Sequence, residues 1–412
     1  MKKYLLVILF FLASTSVFAK KIEITFWHSL GFHVKELIEE MVEEYNDANP
    51  GVEVEPVFQG LYEEMQVKMM TAAVTRQLPE LAQVQYEYLD AYVDNRILEP
   101  IDDLLDYSLR QDVPEVMWQL VTRDGAIYTI PFCVSATMYF YNQNAFVRAG
   151  LDPERPPSTW DELIEAGKKL TVDTDGDGEF DTYAMRFWTN GFYGLAPFLW
   201  AQGGEFFNAD NTRVTLTSDE MLRTIEMLRD LVFKYHIMPQ NWTDWESGQA
   251  FLSGRLAMGF FTSAGMTYGE QNLPWTLRVA PMPEVRGRRY TVLGGSGLAN
   301  FARKGRVRRA VYDFSSWMVS KENTIRLHET VGYIPVRKSA LNSLALTAFH
   351  RNHPNHRVIT EALSYARPLP HHSEYYKINV VLRDMLERIF LQGADPAREL
   401  ARAEREINEI IR

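Results

Sequence analysis

Apolar and polar residues first alternate along the chain at Ile22, Ile24 and Phe26, with Glu23 and Thr25 between them. That two-residue period is the signature of a strand. The period then changes: Val34, Leu37, Ile38, Met41, Val42 and Tyr45 recur at three- and four-residue spacing, while Glu36, Glu39, Glu40, Glu43 and Glu44 occupy the other faces. This predicts an amphipathic helix whose acidic side is solvated. Asn49-Pro50-Gly51 breaks it, Val52, Val54 and Pro56 open a second strand, and a further helix and strand fill Tyr62 to Gln85. Strand, helix, strand, helix, strand predicts parallel pairing through right-handed crossovers, hence an α/β layer.

Tyr128 to Tyr141 is a long β-branched and aromatic run with Ser135, Ala136 and Thr137 at its middle, too long for one compact lobe and suited to crossing between two. Leu277 to Met282 is a second candidate crossing, followed by the strand Val292 to Leu298 with its Gly294-Gly295 interruption. A third is expected near Ala302 to Arg308. Val381, Leu382, Met385, Leu386, Ile389 and Phe390 form one helical stripe, and Pro396 starts a last helix. The expectation is an α/β architecture of two α/β lobes with interleaved segments and a hinge. Residues 20–132 and 280–305 are assigned to an N-terminal lobe, and 133–279 and 306–412 to a C-terminal lobe.

Composition narrows the class. Lys2 and Lys3, the apolar run Tyr4 to Leu12 and the small-residue site Val17-Phe18-Ala19 read as a signal peptide, residues 1–19, cleaved after Ala19. The mature product is expected to be periplasmic or otherwise extracytoplasmic; an uncleaved anchor is the alternative. The rest is longer than one core usually holds. Cys133 is the only cysteine, so no internal disulfide is available. A net charge of −11 argues against a nucleic-acid partner, whose phosphates demand a basic face. Nine Trp, twenty Tyr and twenty-three Phe exceed what a plain core needs, leaving rings for stacking on a ligand.

Asp173, Asp175, Asp177 and Asp181 stand at the first, third, fifth and ninth positions of a loop with Gly178 at the sixth, the spacing that turns successive oxygens onto one Ca²⁺. Glu179 would offer its carbonyl at the seventh position. The twelfth is Ala184, without the usual glutamate. A structural calcium ion and a metal-free acidic hairpin both fit this loop.

Several short stretches carry a family resemblance: Phe26-Trp27-His28-Ser29, Gly60-Leu61-Tyr62-Glu63, Tyr141-Asn142, Pro157-Ser158-Thr159-Trp160, Gly254-Arg255-Leu256-Ala257-Met258, Gly294-Gly295, Val331-Gly332-Tyr333-Ile334-Pro335 and Arg367-Pro368-Leu369-Pro370. In this order they resemble the extracellular, maltose-binding-like solute-binding proteins of ABC importers, and among them the glycerol-3-phosphate-binding branch. The resemblance implies the α/β, periplasmic-binding-protein-like fold, a carrier with no cofactor, a small polyol-phosphate or sugar ligand, membrane-embedded ABC permease subunits as partners, and a monomer. It places ligand contacts on Tyr62, Ser135, Trp188, Ser263, Gly295 and Tyr333, with Phe192 as a second stacking ring. Two positions depart from the family pattern. Where a carboxylate is expected after the third strand stands Tyr86, with Glu87 next. Where an arginine meets the phosphate stands Tyr376, with Lys377 adjacent. A neutral sugar or oligosaccharide is therefore the competing ligand. An exported glycoside hydrolase is a further alternative, which would need two carboxylates facing across the cleft; Glu87 is the one cleft candidate.

Overall fold

The structure is a computed structural model and describes residues 20–31, 33–177 and 180–412. The expected signal peptide and Glu179 lie outside the described residues. The strands are β1 (Ile22–His28), β2 (Val52–Phe58), β3 (Leu81–Gln85), β4 (Thr122–Arg123), β5 (Ala126–Ile127), β6 (Thr129–Asn142), β7 (Tyr183–Arg186), β8 (Leu256–Thr262), β9 (Leu277–Ala280), β10 (Thr291–Asn300) and β11 (Ala366–Pro368). β4 and β5 make a small hairpin of their own. The others share one sheet in the order β2-β1-β3-β10-β6-β8-β7, with β11 added to β10 and β9 to β6.

The sequence pattern explains this topology. β1 is parallel to β2 and β3, as consecutive strand-helix-strand units require. The helix His33–Ala48 buries Ile38, Met41 and Val42 and leaves its glutamates exposed. β6 is buried along its whole length and serves both halves of the molecule. Its first half, Thr129 to Ala136, pairs with β10; its second half, Thr137 to Asn142, pairs with β8 and β9. Ser135 to Thr137 thus mark the change of partner.

Two buried apolar clusters flank this change. One gathers Ile24, Phe26, Ile38, Met41, Leu81 and Ile130 and reaches across to Phe251, Met266 and Val279. The other gathers Tyr139, Phe146, Leu163, Leu195, Leu228, Leu382 and Phe390. The expected crossing near Ala302 to Arg308 is not where the chain changes cluster. The helix Gly305–Met318 packs on β1, with Phe314 edge-on to Phe26 at 6.0 Å and to Tyr45 at 4.9 Å. Residues through Ala362 stay in the first cluster, and the chain enters the second from Leu369 onward, just after β11. The helix Gly305–Met318 therefore packs beside β1, whereas the helix Pro354–Glu361 lies against β9, where Asn355 Oδ1 accepts from the Val279 backbone N–H at 2.9 Å.

Candidate ligand-binding cleft

The change of partner along β6 leaves a hollow above its middle, and residues from both halves close around it. Tyr62 opens the helix Tyr62–Thr75 on one side; Trp188, Asn190 and Tyr193 precede or begin the helix Gly191–Gln202 on the other. With Ser135, Thr137, Thr262, Gly295 and Tyr333 they line a cavity of about 270 Å³. An adjoining cavity of about 570 Å³ shares Tyr62, Gln85, Asn190 and Tyr193 and extends along Glu63, Glu87, Tyr88, Tyr375 and Asn379.

A buried relay fixes the first wall. The Ser29 backbone N–H donates to Gln83 Oε1 at 2.9 Å, and Gln83 Nε2 donates to Ser296 Oγ at 2.6 Å and to the Tyr62 hydroxyl at 3.2 Å. Gln83 so holds a first-wall aromatic on the floor strand. Gly295 adopts φ +119°, and a Cβ there would stand 1.7 Å from the Cys133 carbonyl oxygen, so only glycine lets β10 approach β6 at this point. Burial raises the phenols of Tyr62, Tyr193, Tyr333 and Tyr375 above their ordinary value, which keeps them neutral.

Five of the expected residues, Tyr62, Ser135, Trp188, Gly295 and Tyr333, meet around the inner cavity. Ser263 does not line it: its Oγ accepts from the Ala136 backbone N–H at 3.2 Å and braces β6 instead. Phe192 is 1% exposed and stacked on Tyr375 at 5.1 Å inside the second cluster, so it is a core ring. Tyr86 is likewise buried in the first cluster. Glu87 reaches the outer cavity, where its Oε1 accepts from the Tyr193 hydroxyl. Tyr376 is 58% exposed, and Lys377 Nζ pairs with Glu374 at 2.6 Å; neither lines either cavity. One residue of rotation on the helix Tyr375–Phe390 brings Tyr375 and Asn379, four apart on one face, to the cleft in their place. Gln83, Gln85, Asn190, Tyr193 and Thr262 were not singled out from sequence; isolated amides and hydroxyls carry no pattern of their own.

The electrostatics of the cleft are distinctive. Among the described residues lining the two cavities there is no lysine or arginine, whereas Glu63, Glu64 and Glu87 are present. Burial raises the Glu87 carboxyl, against the opposing pull of the Tyr193 hydrogen bond and the Arg123 charge. Arg123 itself is committed to Asp90 at 2.9 Å and to backbone carbonyls.

In the acidic loop, carboxylate oxygens of Asp173, Asp175 and Asp177 lie within 4.8 Å of one another. Asp181 instead accepts from the Thr174 backbone N–H at 2.7 Å and from the Thr174 hydroxyl, bonds that hold its carboxyl below the usual range.

A family model described as bacterial extracellular solute-binding protein matches residues 40–353. The chain belongs to this family. The sn-glycerol-3-phosphate-binding periplasmic protein UgpB of Shigella dysenteriae is 23% identical over 410 residues, spanning 94% of this chain and 92% of that relative. The solved cyclic alpha-maltosyl-1,6-maltose binding protein from Arthrobacter globiformis superposes with a TM-score of 0.83 at 22% identity, covering 95% of this chain and 99% of that one. UgpB from Mycobacterium tuberculosis in complex with glycerophosphocholine superposes at 0.82, also 22% identical, over 95% and 98%. These likenesses establish the solute-binding fold. Among the described residues no helix is long and apolar enough to cross a membrane.

Proposed function

We propose that this solute-binding protein captures an uncharged sugar or polyol in the cleft and hands it to the permease of an ABC importer. The observation that carries the ligand class is the lining: it offers rings, hydroxyls and amides, three carboxylates, and no described lysine or arginine. A phosphate desolvated there would lack a cationic partner, and one charge-assisted hydrogen bond is worth roughly 1.5–3 kcal/mol. Neutral hydroxyls are served by Asn190, Gln85 and Thr137, and the C–H faces of a sugar by Trp188 and Tyr62. The second reading, a glycerol-3-phosphate-like or glycerophosphodiester ligand, is favoured by the UgpB relatives and would have to draw Lys377 in from its pair with Glu374.

In this reading the protein binds and catalyses nothing. Glu87, the buried carboxylate of the cleft, is engaged by Tyr193, and the other carboxylates of the lining, Glu63 and Glu64, are exposed residues of the first turn of the helix Tyr62–Thr75 rather than a second buried acid for glycoside hydrolysis. The lobes close about a hinge formed by β6, the connection from β9 to β10 and the segment near β11, and contacts to both walls favour the closed form. Export with cleavage after Ala19, action as a monomer and a structural Ca²⁺ on Asp173, Asp175 and Asp177 complete the proposal. A thermal-shift panel of neutral saccharides, polyols, glycerol-3-phosphate and glycerophosphodiesters tests the ligand class, because a ligand that binds only the folded state raises the melting temperature. The same assay with calcium and then a chelator should show a gain and its loss, both absent in Asp175→Asn.

A further inference from the structure

We propose that Tyr193 sets the length of ligand this cleft admits: its ring divides a short inner chamber from an outer one, and its bond to Glu87 holds the divider in place. The inference rests on the solute-binding reading, and on the neutral-ligand reading only for the chemistry of the ligand.

Tyr193 starts the helix Gly191–Gln202, whose Phe192, Leu195 and Leu199 belong to the second core. Its hydroxyl nevertheless reaches the opposite wall, donating to Glu87 Oε1 just beyond β3. Space has been left for it: at Gly294 a Cβ would stand 1.9 Å from the Tyr193 hydroxyl oxygen. A side chain that spans the cleft, is bonded at its far end and is given room by a glycine on a third strand is a fixed partition rather than a passing contact.

The partition has a chamber on each side. Tyr193 lines both the inner cavity of about 270 Å³ and the outer one of about 570 Å³. The inner volume falls just under the roughly 300–1,000 Å³ usual for small-molecule sites, so a ligand confined there is a monosaccharide or disaccharide. A longer chain must pass the Tyr193 ring. Beyond it stand Tyr88 and Tyr375, edge to face at 6.4 Å, with Asn379, groups suited to further sugar units. Swinging the ring aside takes the Tyr193 hydroxyl donor from Glu87 Oε1, while Oε2 has no hydrogen-bond partner among the described residues. Leaving a buried carboxylate so exposed to low dielectric is costly, and this keeps the partition shut.

Calorimetric titration of two ligand series tests the inference: glucose, maltose, maltotriose and maltotetraose, and glycerol-3-phosphate, glycerophosphocholine and glycerophosphoinositol. Each is run on the unaltered protein, on Tyr193→Ala and on Gly294→Ala. The second variant pushes the ring aside without truncating it, so a folding failure of either leaves the other as the test. In the series that binds, affinity should fall roughly 10–200-fold at the first member too long for the inner chamber, the usual cost of a misfitting group. Both variants should erase that step. Tyr193→Phe, which keeps the ring and loses the bond to Glu87, should shrink it. A flat profile in the unaltered protein, or a step that survives both variants, overturns the inference. Binding in the phosphate series alone overturns the neutral-ligand reading, while the step within that series still decides the role of Tyr193. Binding in neither series contradicts both.

Discussion

Glu87 is a carboxyl whose ordinary value is 4.5 and whose burial pushes it upward. A raised value in the folded state means that folding favours the neutral acid. Its contribution to stability is therefore full below about pH 4.5 and is lost as pH rises through the elevated value. Glu87→Gln keeps the size and cannot ionise, so it should melt above the unaltered protein near neutrality, the gap closing towards roughly pH 4. A variant that melts lower at neutral pH would show the Tyr193 bond outweighing burial. Gly295→Ala has the opposite sign. It forces a Cβ onto the Cys133 carbonyl at φ +119° and should cost more than the roughly 1–3 kcal/mol of a strained backbone alone, read from the urea midpoint. At this scale the sequence was legible where a residue type is scarce or conformationally special, as with Trp188, Tyr62 and the Gly294-Gly295 pair. It was silent on Gln83 and Tyr193, whose roles exist only because Ser296 and Glu87, remote in sequence, are brought to them.

The helix Gly305–Met318 shows what periodicity can and cannot tell. Its stripe announces which side is buried, but nothing in the stripe says which of two cores will receive it. The structure seats Phe314 between Phe26 and Tyr45. Phe314→Ala should then destabilise by about 3–5 kcal/mol, the usual range for emptying a buried aromatic site, measured by denaturant unfolding; a loss below about 1 kcal/mol would place the helix elsewhere. The helix Tyr375–Phe390 carries the same lesson for the site. A shift of one residue turns a helical face by about 100°, enough to exchange Tyr376 and Lys377 for Tyr375 and Asn379 at the cleft. β6 was readable in advance because its length and continuous apolar character admit few other roles, and its two halves indeed pair with different strands.

For the whole molecule, alternating strands and helices were enough to specify an α/β fold, while the grouping of segments into cores depended on packing that no local pattern encodes. The proposed ligand class rests on the collective lining of the cleft rather than on any one residue, so its test must perturb charge across that lining. Calorimetry of the best neutral saccharide and of glycerol-3-phosphate, each at low and high salt, on the unaltered protein, Tyr375→Ala and Lys377→Ala, does so directly. The saccharide should bind with an affinity insensitive to salt, weakened by Tyr375→Ala and unmoved by Lys377→Ala. Tighter binding of glycerol-3-phosphate that falls as salt rises and collapses in Lys377→Ala would contradict the proposed ligand class.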